Sequence, residues 1–418
     1  MITDELKQKV EEARQAALDV LHFNFKNPHT LQTPLYGLPS ASGWVYLEPY
    51  TRDLMIAALG ILVSKDRVLI EGLRKTLEVT AKNQAERGHI PSYIHDKRNL
   101  GASDTTPLFI LAVGLFREAT KEKDFLKSAV DKAMALMESQ SPYEYNLVTQ
   151  LPTTDWRDEQ WVLGYGLYVN AIVYSYLRLH NTHTRLHAWA KKIYQQMNEP
   201  VYDETLPRPT EGLTLPNKIC YALWSFKVFH KKQFDVLGNS LAILAGIASR
   251  ARSRKMIKWV ETECHAMKID GKLAKDMDLP PCFFPFIDED HRDWNERYEL
   301  HCHPGEYQNG GIWPFICAFY VAALVAAGKT KLAEAKLDAL TDLVKPWRDI
   351  ERKNSDEVRR LREKGLNVNY GFNEWFRARD KTPLGNDWQT WSAAMYLYAA
   401  ECVETNGTPF FDKIRKRK

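Results

Sequence analysis

The feature that most constrains this chain is a pairing of helical segments that repeats along it. Apolar residues recur at helical spacing in one stretch after another. Some stretches are apolar nearly all round and rich in small residues, such as TRDLMIAALGILVS, TTPLFILAVGLFREAT and FICAFYVAALVAAG. Others, such as VLIEGLRKTLEVTAKNQ and KLAEAKLDALTDLVKPW, are charged except along one stripe. The two kinds alternate, and the pair returns about every 45–60 residues, a period typical of helical repeat architectures. Strand-like alternation is scarce. An all-apolar helix must be enclosed and a striped one must cover it, so the chain is predicted to be all-α, with roughly six helix pairs in two layers. An open solenoid and a closed (α/α)6 toroid both satisfy this pattern.

The connections favour the toroid. After charged helices come long segments rich in Gly, Pro, Trp and acids: GHIPSYIHDKRNLGASD, NLVTQLPTTDWRDEQW, NEPVYDETLPRPTEGLTLPNK, the stretch from DLPPCFFPF to NGGIWP, and LNVNYGFNEWFRARDKTPLGND. Loops this long and this loaded are usually functional. If all emerge at one end of a ring, they surround one pocket, and residues 1–418 are expected to be a single (α/α)6-barrel catalytic domain.

Composition removes other classes of function. Hydrophobic content of 44% and charge of 26% are those of a soluble globular protein. The net charge of +4 is nearly balanced, and basic residues are scattered except in the final KIRKRK. A nucleic-acid or membrane partner is therefore not expected, since a binding stripe needs cations gathered on one face. The opening MITDELKQKVEEARQAAL is a charged amphipathic helix without a signal-peptide core, and no run approaches membrane-spanning length. The six cysteines lie far apart without a CxxC pair, which fits free thiols in a cytoplasm. No Gly-rich phosphate loop, nucleophile elbow or HExxH motif occurs. His301-Cys302-His303 lacks further ligands at suitable spacing, so neither metal nor cofactor is expected. Outer helices of mixed charge leave a homo-oligomer open.

What remains is carboxylates set among aromatic residues. The 12 Trp, 19 Tyr and 17 Phe suit sugars, whose C–H faces are apolar and whose rims are hydroxyls. Glycoside hydrolysis needs only two carboxyl groups, and in the inverting mechanism one protonates the leaving oxygen while the other activates water.

Taken in order, EPYTRDLMIAALGIL, GHIPSYIHDKRNLGASDTTPLF, TTDWRDEQWVLGYGLYVNA, FDVLGNSLAILAGIA, GEYQNGGIWPF, YGFNEWF and GNDWQTWSAAMYLYA resemble successive blocks of the alkaline/neutral invertases. They are also similar to the amylo-α-1,6-glucosidase domain of glycogen-debranching enzymes. The resemblance implies an inverting (α/α)6-barrel glycosidase acting on a terminal sugar. It matches Asp158 of DWRD to the general acid, with Asp155 as the neighbour able to exchange roles, and Glu374 of NEWF to the general base.

Substrate-holding roles are expected for Arg52 and Asp53, for Asp104 of GASDTTPLF, and for Asp155, Trp156 and Arg157 beside the acid. Glu306, Tyr307, Gln308, Asn309 and Trp313 of HPGEYQNGGIWPF, with Gln389 and Trp391 of GNDWQTW, complete the set. Asp104 also stands where it can cap the helix that follows it. Gly310-Gly311 is expected to let backbone approach a ligand closely.

The chain departs from the resemblance in three places. Asp158-Glu159-Gln160 stands where the invertase acid motif continues to a second Arg, NGGIWP is nearer the debranching spelling, and the 279–302 insertion matches neither. Sucrose is the leading substrate by resemblance, with small α-1,6-linked glucosides or a glucosylated solute as the alternative. A sugar epimerase on the same toroid would present paired His residues where acids stand.

Overall fold

A computed structural model describes residues 4–26, 38–142, 146–180, 184–205 and 211–416. The last two residues of KIRKRK and positions 206–210 of the third long loop lie outside them. In chain order the helices are α1 (Asp4–Lys26), α2 (Thr51–Ser64), α3 (Arg67–Lys82), α4 (Thr105–Thr120), α5 (Lys127–Ser139), α6 (Leu167–Leu179), α7 (Thr184–Met197), α8 (Val236–Leu244) and α9 (Arg250–Ile269). There follow α10 (Tyr298–His301), α11 (Pro314–Ala326), α12 (Thr330–Leu343), α13 (Ile350–Lys353), α14 (Asp356–Glu363), α15 (Thr390–Thr405) and α16 (Phe411–Lys416).

Helices α2, α4, α6, α8, α11 and α15 are buried on nearly every side and neighbour one another in that order, with α15 returning to α2. The ring is therefore closed, and the (α/α)6 toroid expected from the sequence is the fold. Helices α1, α3, α5, α7, α9 and α12 lie outside it. In α3 the buried residues are Leu69, Leu73, Thr76, Leu77 and Thr80, one stripe at helical spacing. Burying each of its leucines contributes about 1.5–3 kcal/mol, which holds the amphipathic helix to the ring.

The small residues of the inner helices set how the ring closes. Gly60 of α2 faces Ala394 of α15 so closely that a Cβ there would overlap the Ala394 carbonyl. Ala57, Ala58, Ala393 and Ala394 are wholly buried around this crossing. Backbone clashes cannot relax by a rotamer change, so Gly60→Ala is expected to lower unfolding stability by about 3 kcal/mol, read from urea denaturation.

The connections differ in length by end. Turns from an inner helix to the next outer one are short, as at 65–66, 245–249 and 327–329, whereas returns span 83–104, 140–166, 198–235, 270–313 and 344–389. These long returns carry seven strands of two or three residues: β1 (Tyr165–Gly166), β2 (Trp224–Phe226), β3 (Phe229–His230), β4 (Phe234–Asp235), β5 (Phe283–Phe284), β6 (Trp375–Phe376) and β7 (Pro383–Leu384). Pairing is antiparallel in the order β1-β2-β3, in β4-β5 and in β6-β7. Strands this short leave no period-2 signal in a sequence. The β1-β2 and β4-β5 pairs tie neighbouring returns to one another, and β2-β3 and β6-β7 are hairpins within a single return.

Candidate active site

Asp158 sits in a turn ahead of α6 that is built around a buried arginine. Arg157 is 1% exposed, and its guanidinium lies between the wholly buried carboxylates of Asp155 and Asp235, 2.8 Å from each. Asp155 also accepts from the Arg157 amide at 2.8 Å and from Gln150 Nε2 at 3.1 Å. Its charge is thus spent on the turn, and the Arg157 guanidinium holds its carboxyl below the usual range against the cost of burial. Asp158, next in line, is open to solvent. Its Oδ1 accepts from Gln308 Nε2 at 2.7 Å.

Gln308 is 1% exposed and makes two further bonds to the same turn, Nε2 to the Trp156 carbonyl at 2.8 Å and Oε1 from the Glu159 amide at 2.9 Å. It positions Asp158. The 279–302 insertion reinforces the turn: Arg297 donates to the Asp158 carbonyl at 2.9 Å and pairs with Glu159 at 3.0 Å, and Tyr298 accepts from the Trp161 amide at 3.2 Å. Asn309 anchors that insertion, bonding Ile287 at both its amide and its carbonyl (2.8 Å each) and the Cys302 carbonyl at 2.9 Å.

Glu374 reaches the site from the β6-β7 hairpin. Its amide donates to the Asn386 carbonyl at 2.9 Å, and Asn386 Nδ2 donates to its carboxyl at 3.3 Å. A Cβ on Gly385, whose φ is +73°, would run into that carboxyl, so glycine there makes room for it. Phe376 and Ile312 exchange backbone hydrogen bonds of 2.8 Å in both directions, which brings this hairpin beside the 303–313 loop.

Asp53 comes from the first turn of α2 and accepts from Gln389 Nε2 at 3.2 Å. Burial pushes Asp53 up to about 7, against the pull of Arg52. Burial also pushes Glu374 up to about 8, helped by the negative charges of Asp53 and Asp158. The three carboxyl groups therefore sense one another. The hydroxyls of Tyr46 and Tyr307 lie in the same field, and Tyr46 also bonds Asn386.

Other residues named from the sequence are engaged elsewhere. Arg52 grips the wholly buried Asp104 with two hydrogen bonds, of 2.6 and 3.1 Å, and the Asp155 carbonyl at 2.8 Å. Asp104 stands at the N-cap of α4 without a side-chain capping bond, because Arg52 and the Tyr168 hydroxyl take its carboxylate. Glu306 pairs with Arg377 at 2.8 Å. Trp156, Trp313 and Trp391 are 2%, 1% and 5% exposed and pack as an aromatic cluster, with Trp391 stacked on Phe315 at 4.1 Å. Tyr307 rests on Trp313 at 5.1 Å and Trp375 at 5.6 Å. A Cβ on Gly310 would strike Phe286, and one on Gly311 would meet the Tyr307 backbone. Both glycines therefore serve the packing of their own loop, where the sequence suggested close approach to a ligand.

Sequence reasoning passed over Tyr46, Gly385 and Asn386. Gly385 and Asn386 stand inside the quoted GNDWQTW block, and the turn-forming Gly-Asn after a Pro was the available signal. Among the described residues no group of three His, Cys, Asp or Glu is placed to hold a metal, and no helix is long and apolar enough to cross a membrane.

Residues 201–406 match the family model described as alkaline and neutral invertase. That span includes Glu374 and the 303–313 loop but not Asp158. No curated protein sequence matches the chain significantly. Among solved structures, it is similar to mannosylglycerate hydrolase from Thermus thermophilus in complex with Tris and D-glycerate. That match has 14% identity and a TM-score of 0.61, over 92% of this chain and 99% of that one. A bacterial glucoamylase complexed with acarbose aligns at 13% identity with a TM-score of 0.59, over 92% of this chain and 55% of its own. A glycosidase in complex with glucose aligns at 13% identity with a TM-score of 0.56, over 97% and 99%. At these identities the structural likeness speaks for the fold, and the family match adds the chemistry. Together they make this chain a six-hairpin glycoside hydrolase similar to the alkaline and neutral invertases.

Proposed function

We propose that the chain is an exo-acting, inverting glycosidase that releases a terminal sugar from sucrose or a related small α-glucoside, with Asp158 as general acid and Glu374 as general base. The observation that carries this reading is the contrast between two carboxyls that sense each other's charge: one open to solvent, one 6% exposed. In a pocket that removes chain ends, the leaving group departs through the mouth. The acid that protonates its oxygen belongs there, which suits Asp158. The water that attacks from the opposite face must be held deeper, beside Glu374.

A base works best with a pKa near the working pH. Glu374, pushed up to about 8 by burial and the neighbouring charges, is a stronger base than an exposed glutamate once ionised. Asp53, Tyr46 and Tyr307 are read as hydroxyl-binding groups around the bound sugar. Gln308, Asn386, Asp155 and Arg157 are read as residues that position the two acids, and the half-buried Arg52 with the buried Asp104 as a pair that shapes the floor. We read the whole chain as one catalytic domain working without a metal, in the cytoplasm.

The test is a panel of sucrose, isomaltose, glucosylglycerate and mannosylglycerate with the released anomer read by proton NMR at early times. Release of the anomer opposite to that of the substrate, from sucrose first, is the expected result. A retained anomer sinks the mechanism, and glycerate-bearing substrates cleaved in preference to sucrose move the specificity to a glycosylated solute.

A further inference from the structure

At the end of the ring away from Asp158 and Glu374 lies a cavity of about 850 Å³ whose charged lining is all of one sign. Arg178, Lys191, Arg250, Arg415 and His187 border it, and no carboxylate does. Part of this is what helix ends require. Arg178 lies in the last turn of α6, and Arg415 of α16 donates to the Leu244 carbonyl at the end of α8 at 2.7 Å while pairing with Asp412. Cations at the C-terminal ends of helices offset the macrodipole, which amounts to roughly half a negative charge per end. The ends of α6, α8 and α11 together call for about one and a half positive charges on that scale.

Lys191 and Arg250 exceed that need. They come from the outer helices α7 and α9, both are exposed, and neither forms an ion pair with a described residue. Arg250 is moreover the first residue of α9, a 20-residue helix that begins RARSRK with no acid in its first turn. A helix N-terminus already carries a partial positive charge and favours carboxylates. Placing arginine there stacks like charge on like charge. Ser249, which borders the cavity with Arg250 and Ser253, caps the helix by accepting from the Arg252 amide, so the start of α9 lies at the cavity wall.

We propose that this cavity is a second ligand site, separate from the catalytic pocket, that takes a small molecule bearing a phosphate group. The cations and the start of α9 would hold the phosphate. Tyr174 and Tyr194, with ring centroids 6.2 Å apart, give a wall for an attached ring. The volume exceeds what a bare anion fills and falls in the range of small-molecule sites. The basic C-terminal segment KIRKRK, which the catalytic reading leaves without a role, contributes Arg415 to this lining.

The test is thermal unfolding of the full chain titrated with inorganic phosphate and, separately, with glucose 6-phosphate. Sodium chloride at matched ionic strength is the control, with wild type compared against the double variant Lys191→Gln/Arg250→Gln. We expect a saturable rise in Tm in wild type and a half-saturation at least tenfold weaker in the double variant, whose glycosidase activity stays at the wild-type level. Tighter binding of glucose 6-phosphate assigns the site to a sugar phosphate, and equal binding assigns it to free phosphate. No saturable rise, an equal rise with chloride, or an unchanged half-saturation in the variant overturns the proposal. Should the double variant fail to fold by circular dichroism, the exposed single change Lys191→Gln must still weaken binding by several fold.

Discussion

Asp158→Asn and Glu374→Gln are each expected to lower kcat on the natural glycoside by about 10²–10⁴-fold, the usual span for loss of a general acid or base. Both substitutions keep volume and a hydrogen-bonding group. Gln308 and Asn386 can still bond the new side chains after an amide flip, so the loss reports protonation chemistry rather than a collapsed site. The two variants should part company on an aryl glycoside with a good leaving group. Such a substrate leaves without protonation, so Asp158→Asn recovers much of its rate on it while Glu374→Gln does not, because water must be activated in either case. If Glu374→Gln is the variant that recovers, the two roles are exchanged. Asp155 provides the contrast. Its carboxylate is buried against Arg157, so Asp155→Asn leaves a buried cation short of charge and should cost about 3–5 kcal/mol of stability.

The second large effect is a conflict between activity and stability at Glu374. With its folded-state pKa at about 8, a base at this position is ionised only on the alkaline side, so kcat/KM should rise with pH until about 8. An acid at this position would give the opposite limb, a fall through the same value. For stability the sign runs the other way from that of a salt-bridged carboxylate. The unfolded glutamate ionises near 4.3, and the folded one holds its proton to a higher pH. Its contribution is therefore fully present below the unfolded value and is lost as pH rises toward about 8. Glu374→Gln removes the ionisation. The variant should match wild type near pH 4.5 and exceed it by a few kcal/mol at pH 8.5, order-of-magnitude, in urea denaturation. A gain independent of pH would show that packing, not charge, separates the two. Asp53, raised to about 7, keeps the same downward trend in both proteins.

The alternation of enclosed and striped helices survives into the structure because it reflects a requirement on each segment alone. FICAFYVAALVAAG has no polar face, so its partners must surround it, and α11 is buried from Pro314 to Val325. The same holds for DWRD and NEWF, whose local spelling marks where carboxyls meet aromatic rings. Side-chain partnerships are another matter. Arg52 stands next to Asp53 in sequence yet binds Asp104, 52 residues on. Gln308 reads as a sugar-facing amide in a loop of amides, and its partners are 150 residues earlier. The 279–302 insertion resembles nothing in the family blocks, yet its Arg297 steadies the backbone of Asp158.

By itself, the sequence determined the helix type of each segment, the layering of the ring and the long returns that join outer helices to inner ones, because periodicity and burial demand are local properties of a segment. Only the tertiary structure decided which partner each polar residue meets, because those partners lie far away in the chain. Arg157 between Asp155 and Asp235, Asp104 on Arg52 and Asn309 on Ile287 are all polar groups shut away from water, and each must find its partner wherever the closed ring brings one. That need is satisfied across the ring, so the sequence could name Asp53, Asp158 and Glu374, but that the amides of Gln389, Gln308 and Asn386 hold them becomes visible only once the ring has closed.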